Sequence, residues 1–400
     1  MKILIISHYY WPENFKINDI SYNLAKKGNE ISILTGKPNY PIGSYYNGYN
    51  FFNKNFEKFN DINIHRVPVI TRGSGSSTRL ILNWISFAFL AVFRILTINE
   101  KYDKIFVFQP SPFTVAIPAL VASFKFNAKI FFWVQDIWPE TLSAAGGVNN
   151  KLLLSLVNWF VVFTYKRCDK VFVQSKAFIS KIIDQGISKS KIFYLPKTTE
   201  KFYKPLTLKK KISLLPEGFK IMFAGNMGEA QNLEMIIDVA ETLVNKKVDV
   251  KWVMIGDGRK KIDLIKKIKE KRLTNVFFFL GAFESEKMPV FFSYADLLLV
   301  SLKKDPIFSL TIPSKVQSYM ACGKPILASL EGEGKRVIEE ARCGLVAEPN
   351  NSQQLTHQIL KFKSLSNAER LEMGKNARKY FENEFESKKL INKLIGLLQN

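Results

Sequence analysis

Cysteine, histidine and acidic residues are the scarce components of this 400-residue chain. Its three cysteines, Cys168, Cys322 and Cys343, stand far apart and form no Cys-x-x-Cys pair. That excludes a zinc ribbon, argues against a disulfide framework and favours a reduced, cytoplasmic compartment. The three histidines, His8, His65 and His357, lack the spacing of a metal site. No Asp-x-Asp occurs, so a metal held for a nucleotide diphosphate has no obvious ligands. With 21 Gly, 16 Pro and no fixed-period repeat, collagen-like, low-complexity and solenoid readings fail. Apolar residues make up 47%, enough for a sizeable core and, at this length, two domains.

Long uncharged runs are also missing. The start, Met1–Ser7, is too short for a signal peptide and reads as a buried strand. The most apolar region, Leu80–Ile98, has 14 uncharged residues between Arg79 and Arg94. A spanning helix needs about 20 predominantly apolar residues. Arg94 inside such a span would cost about 2.5–3.5 kcal/mol. A second apolar stretch, Leu152–Tyr165, is as short and ends in Lys166 and Arg167. Both suit core helices. Trp84 and several Phe, flanked by Arg, equally suit a helix lying in a membrane interface.

The acidic deficit gives a net charge of +23, from 58 Lys+Arg against 35 Asp+Glu. Residues 1–200 contribute 24 − 12 = +12 and residues 201–400 contribute 34 − 23 = +11. A diffuse excess suits a nucleic acid, an anionic membrane or a phosphorylated ligand and does not choose among them.

What is present is a regular alternation. Strand patterns occur at Lys2–Ser7, Glu30–Leu34, Ile62–Val69, Lys104–Gln109, Lys129–Val134, Lys170–Gln174 and Ile192–Leu195, with a helix at Asn18–Lys27. Continuous apolar runs between turn signals are the pattern of strands buried on both faces. The segment Lys197–Gly218, with Pro205 and Lys209-Lys210-Lys211, interrupts this and marks a domain boundary. Strands resume at Lys220–Ala224, Lys251–Ile255, Val276–Leu280, Asp296–Val300 and Pro325–Ser329, with helices at Leu233–Lys246, Lys260–Lys271 and Ser314–Cys322. The expectation is an α/β chain of two Rossmann-like, doubly wound domains, residues 1–200 and 201–380. A helix at about 380–400 is a candidate to cross back onto the first. Ligands of such sheets sit beyond the strands' C-terminal ends, so two facing sheets would place one in the intervening cleft.

Two motifs carry chemistry in the second half. Gly225-Asn226-Met227-Gly228-Glu229-Ala230-Gln231 follows a strand and precedes a helix. Glycines there let the backbone approach a phosphate, and the helix N-terminus offers free N–H groups. The bland alternative is a plain turn. Ser309-Leu310-Thr311-Ile312-Pro313-Ser314-Lys315-Val316-Gln317-Ser318 opens a helix that stops at Gly323. Its first N–H groups suit a diphosphate, and the alternative is an ordinary capped helix. In the first half, Asp136 ends the string Trp133-Val134-Gln135-Asp136, just beyond a buried strand. It is either an acid–base carboxylate or a cap. Glu140 reads as a first-turn acid.

Pro313-Ser314-Lys315 with Met320-Ala321-Cys322-Gly323-Lys324-Pro325-Ile326 resembles the donor-site helix of GT-B glycosyltransferases of family 4. Phe223-Ala224-Gly225-Asn226, Ile255-Gly256-Asp257-Gly258, Ala295–Leu299, Glu333-Gly334 and Tyr10-Trp11-Pro12-Glu13 extend the resemblance over nearly the whole chain. Trp133–Glu140 and Thr35–Pro41 most resemble the L-fucosaminyl transferases of bacterial O-antigen and capsule assembly. The resemblance implies a GT-B fold and a UDP-sugar as co-substrate. It also implies a metal-independent reaction without a resident cofactor and a polyprenyl-diphosphate-linked saccharide as acceptor. Gly225, Asn226, Gly228, Glu229, Leu310, Thr311, Pro313, Ser314, Lys315 and Ser318 would bind the donor. Asn14, Lys16, Asn18 and Asp19 would face acceptor or phosphate, with simple helix caps as the alternative for the last two. Asp136 would act near the sugar. The acceptor domain would dock on the anionic inner face of the cytoplasmic membrane.

This chain departs from the pattern in two places. The family commonly has two Glu residues around the donor helix, and those positions fall on Leu310 and Ser318. Asn226 and Gln231 stand where the phosphate loop usually has Arg and Lys, leaving Arg259, Lys303 and Lys315 as substitute cations. A UDP-sugar 2-epimerase shares the fold, but the few histidines argue against it. A nucleic-acid-binding protein would fit the charge, but no recognition motif supports one, and no nucleic-acid partner is expected.

Overall fold

The structure, a computed structural model, describes residues 1–146, 148, 150–207 and 213–399. The Lys209-Lys210-Lys211 run at the expected boundary lies outside the described residues. The chain divides into two compact units: Met1–Lys197 with Leu390–Asn400, and Thr198–Lys389.

Unit 1 is built on eight strands: β1 (Lys2–Ile6), β2 (Glu30–Gly36), β3 (Phe56–Phe59), β4 (Ile62–Val67), β5 (Lys104–Gln109), β6 (Lys129–Val134), β7 (Lys170–Val173) and β8 (Ile192–Tyr194). Their order is β3-β4-β2-β1-β5-β6-β7-β8, all parallel except the β3 edge. The apolar runs Lys-Ile-Phe-Val-Phe-Gln and Lys-Ile-Phe-Phe-Trp-Val pair in register from Lys104↔Lys129 to Gln109↔Val134. Alternation splits the side chains between two faces. Ile3, Ile5, Phe106, Phe108, Phe131 and Trp133 form one core with Ile17, Ile20 and Leu24 of the Lys16–Lys26 helix. Leu390, Ile391, Leu394 and Leu398 of the Ser387–Gln399 helix complete that core.

The opposite face carries the helices Ser77–Thr97, Ala116–Phe126 and Lys151–Arg167. The first is long and apolar enough to cross a membrane by composition, with mean hydropathy 1.9. Here Phe87, Ala91 and Ile95 are fully buried in unit 1, and Asn83 donates to the Ile70 carbonyl oxygen at 2.7 Å. Trp84 turns inward against Trp138, ring centroids 6.0 Å apart, and so is not the interfacial residue the sequence suggests.

Unit 2 has six parallel strands: β9 (Lys220–Ala224), β10 (Lys251–Ile255), β11 (Phe277–Gly281), β12 (Leu297–Ser301), β13 (Ile326–Ser329) and β14 (Gly344–Ala347). Their order is β11-β10-β9-β12-β13-β14. Ile221, Phe223, Trp252 and Met254 face one core, and Met222, Ala224, Val253 and Ile255 face the other. The strand order reverses between β9 and β12, which makes their C-terminal ends the place for a ligand.

Candidate functional site

A pocket of about 540 Å³ opens at that end of unit 2. Ala224, Gly225 and Asn226 line it at the end of β9, and Ile255, Gly256 and Asp257 at the end of β10. Phe283, Ser285, Met288 and Phe292 follow β11, while Ser314, Lys315, Ser318 and Tyr319 come from the helix Ser314–Ala321. Glycine is required at two points. Gly225 has φ 131°, and a Cβ there would lie 2.7 Å from Lys315 Cε. Gly256 has φ 123°, and its Cβ would lie 2.0 Å from the Gly225 carbonyl oxygen. Backbone and lysine thus converge at this end of the pocket.

Lys315 is the pocket's principal cation. Its Nζ donates to Gln231 Oε1 at 2.9 Å and stands 3.7 Å from the Phe223 ring centroid. Burial holds its ammonium down to about 7. Beside it, the first turn of the Ser314–Ala321 helix begins at Pro313 without a side-chain cap. Its leading N–H groups lack intrahelical acceptors. The Tyr319 hydroxyl accepts from Ala224 N at 3.3 Å and fixes the β9 end to this helix.

Other expected donor residues lie elsewhere. Gly228 and Glu229 line a separate small cavity with Lys260 and Lys303. Glu229 is exposed and ion-paired to Lys303 and, at 3.1 Å, to Lys260. Those bonds hold its carboxyl below the usual range. Lys303 therefore faces Glu229, 74 residues away in sequence, which the sequence could not reveal. Arg259 is exposed and does not line the pocket. Leu310, Thr311 and Pro313 do not line it either. Their segment packs on the Gly332–Gly334 turn: a Cβ on Gly332 would meet the Ser309 carbonyl oxygen at 2.0 Å, and one on Gly334 would meet Pro313 Cδ at 3.1 Å. They place the helix without forming the wall. Tyr203, which also lines the pocket, carries no sequence signal, because it stands in the irregular boundary segment.

In unit 1, Asp136 lies beyond β6. Its Oδ2 accepts from Ser111 N at 2.9 Å and from Ser111 Oγ at 2.8 Å. The following helix begins only at Glu140, so Asp136 is no cap; it ties its loop to the one after β5. Its charge also acts on Lys197, whose ammonium burial holds below its ordinary value; Lys16 adds to the lowering and Asp136 counters it. Lys16 and Asp136 therefore share one neighbourhood.

Asn14 and Asp19 are exposed. Asn18 is not a cap, because the helix starts at Lys16 after an uncapped Phe15. Its Oδ1 accepts from Trp11 N at 3.0 Å and its Nδ2 donates to the Glu13 carbonyl oxygen at 2.8 Å. Glu13 is a residue that sequence reasoning placed in the Tyr10-Trp11-Pro12-Glu13 string without giving it a role. Its buried carboxylate accepts from Tyr40 N at 2.7 Å, Asn39 N at 2.9 Å and Tyr10 N at 3.4 Å, clamping the loops after β1 and β2. Burial pushes it up to about 7 against those hydrogen bonds. His8 is buried, bonded through Nε2 to Asn83 Oδ1 at 2.9 Å, and held near 3, so it stays neutral.

Comparison with known proteins bears on the fold and the class of enzyme. Residues 207–380 match the family profile described as "Glycosyl transferases group 1". The putative colanic acid biosynthesis glycosyl transferase WcaI of Escherichia coli K12 is 24% identical over 342 residues, 81% of this chain and 82% of that protein. The probable glycosyltransferase WbjE of Pseudomonas aeruginosa is 26% identical over 304 residues, 72% and 74% of the two chains. Among solved structures, Anabaena HepE in complex with UDP superposes with TM-score 0.72 at 15% identity, covering 100% of both chains. WaaG, a glycosyltransferase involved in lipopolysaccharide biosynthesis, gives 0.66 at 14% identity and 99% coverage of both. The chain is a glycosyltransferase of GT-B fold, and its residues 207–380 match the group 1 glycosyl transferase family.

Proposed function

We propose that this enzyme moves a sugar from a UDP-sugar to a lipid-linked saccharide during assembly of a bacterial surface polysaccharide. The observation that carries the reading is the unit 2 pocket, where Gly225, the Ser314 helix start and Lys315 converge. The names of WcaI and WaaG support the process, and the HepE complex supports UDP as the nucleotide. N-acetyl-L-fucosamine is the first sugar to test, from the resemblance of Trp133–Glu140. Such a transfer gains most of its acceleration from positioning and from neutralising the departing diphosphate. Lys315 and the helix N–H groups take that second role. Asp136, oriented by Ser111, is assigned to the acceptor hydroxyl.

The acceptor's lipid would lie in the cytoplasmic membrane, and unit 1 would dock peripherally on its inner face. Ile81, Ile85, Phe89 and Phe93 form an exposed stripe on the Ser77–Thr97 helix, joined by Leu152, Leu156 and Trp159 on the Lys151–Arg167 helix.

Thermal unfolding with UDP tests the donor half. Ligand at 100 times its Kd should stabilise by about 2.7 kcal/mol. No shift at millimolar UDP would overturn UDP as the donor nucleotide. Product analysis with UDP-sugars and lipid-linked acceptors tests the rest. Asp136→Asn should lower turnover at least ~100-fold with the fold intact; near-normal turnover would leave Asp136 a loop tie only.

A further inference from the structure

Unit 2 has another cavity, at the opposite end of its sheet. It holds about 330 Å³, room for a small metabolite. Asp296 lines it just before β12, and Gly323 and Lys324 just before β13. Asn367, Arg370 and Gly374, from the first half of the Asn367–Glu384 helix, form the other wall. The walls meet through glycine: a Cβ on Gly374 would lie 2.5 Å from the Gly323 carbonyl oxygen. The lining is cationic. Among its described residues the one carboxylate is Asp296, whose Oδ2 accepts from Lys220 N at 2.7 Å. Lys324 Nζ donates to the Ser293 carbonyl oxygen at 2.9 Å, and an ammonium has three donors. Arg370 Nη2 donates to the Lys363 carbonyl oxygen at 2.6 Å, with its guanidinium 5.3 Å from the Phe362 ring centroid. Arg370 Nε is buried and has no acceptor among the described residues. A buried donor left unpaired is costly, and an anion's oxygen would satisfy it. Asn367 opens an 18-residue helix, and that end of a helix favours negative charge.

Both walls run through to the first pocket. The Ser314–Ala321 helix, about 12 Å long, starts there with Ser314 and Lys315 and ends here at Gly323. Arg378, about two turns beyond Arg370, donates from Nη1 to the Ala321 carbonyl oxygen at 2.6 Å. The Met288–Ser293 helix presents Met288 and Phe292 to the first pocket, and its last carbonyl takes the Lys324 bond.

We propose that this far cavity is an effector site for a small phosphate monoester, coupled to the first pocket through the Ser314–Ala321 helix. The coupling rests on the reading that the first pocket takes UDP; the binding does not. Arg370 offers a phosphate a planar fork of donors and Lys324 a point charge. A bare phosphate ion would leave most of the cavity unfilled, so the carbon skeleton of an ester has room. An ester bridging Lys324 and Arg370 ties the end of the Ser314–Ala321 helix to the Asn367–Glu384 helix. UDP then meets a helix already held, and binds more tightly.

Calorimetric titration of the full chain with glycerol 3-phosphate, in excess UDP, tests the site in wild type, Arg370→Gln and Asn367→Asp. Asn367→Asp adds an anion where the helix favours one, so it repels the ester without weakening the fold. Wild type should bind the ester, and each variant should bind it at least about tenfold more weakly, the loss of a charged hydrogen bond. Both variants should keep wild-type affinity for UDP alone. The bound ester should lower the Kd of UDP at least about threefold in wild type, and UDP should tighten the ester by the same factor. No binding to wild type, or binding that both variants retain, overturns the site. Binding that leaves the Kd of UDP unchanged overturns the effector role. Wild type that binds the ester but not UDP overturns the donor reading and the coupling with it, and leaves the site standing. Flotation on phosphatidic acid vesicles that Asn367→Asp abolishes, with no binding of the soluble ester, would assign the cavity to a lipid headgroup and overturn the small ligand.

Discussion

On the proposed reading of the pocket, Lys315 is one side chain set for an anion before the anion arrives. Buried against Phe223 and near pKa 7, it is about half protonated in the empty pocket at neutral pH. It donates to the neutral Gln231. A diphosphate beside it favours the ammonium and raises its pKa, so binding above pH 7 takes up a proton. UDP affinity should therefore fall by up to about tenfold per pH unit as pH rises above 7. Calorimetry in buffers of different ionisation enthalpy should show the uptake directly. Lys315→Met keeps the contact with Phe223, removes the pH slope and costs about 10- to 100-fold in Kd, the range for a charged hydrogen bond. A slope that survives in Lys315→Met would assign the titration to another group.

Elements divide into those that composition determines and those that context determines. Strands β5, β6 and β10 were legible because both faces are buried and their runs are continuously apolar. Strand β3, Phe-Glu-Lys-Phe, escaped because an edge strand alternates and its charges mask it. The Ala116–Phe126 helix escaped too, with Pro112 before it and Pro118 in its first turn. In the pocket, Gly225 and Ser314 were legible because their backbone geometry needs particular residue types. Tyr203 and Glu13 were not, because tertiary packing alone gives them partners. The Ser77–Thr97 helix was ambiguous by sequence, and the structure buries one face of it and leaves the other exposed. With the Ala116–Phe126 and Lys151–Arg167 helices it carries six charged residues, Arg79, Arg94, Lys125, Lys151, Lys166 and Arg167, and no acid. Cations near anionic lipid contribute about 1 kcal/mol each, weakened by salt. The protein should float with anionic vesicles at low salt and be partly released at high salt. Phe93→Asp should reduce flotation without unfolding, since Phe93 is 52% exposed. Protein that stays soluble at every salt concentration would leave the stripe without a membrane role. Resistance to both salt and carbonate would mean the helix spans.

At the scale of the whole molecule, the chain makes unit 1, then unit 2, then returns to finish unit 1. The return is anchored: Lys393 Nζ donates to the Tyr194 carbonyl oxygen and Lys170 Nζ to that of Leu397, each at 2.8 Å. Four buried Leu and Ile side chains fill the core, at about 1.5–3 kcal/mol each. Their sum is comparable to the 5–15 kcal/mol that holds a typical domain folded. Deleting residues 387–400 should therefore abolish the unfolding transition of unit 1 while a UDP-responsive transition of unit 2 persists. Leu394→Ala alone should cost about 2–5 kcal/mol. An unchanged melting profile after the deletion would show the helix to be an accessory.

That return has a consequence for how the protein is born. Translation proceeds at roughly 5–20 residues per second, and the 192 residues of Thr198–Lys389 lie between Lys197 and Leu390. For roughly 10–40 seconds a nascent unit 1 waits on the ribosome with one face of its sheet open, Ile5, Phe131 and Trp133 lacking their final cover. Unit 2, although later in sequence, can close first. The unit bearing the apolar stripe is thus the one left unfinished longest, and a holding chaperone would have its best opportunity there.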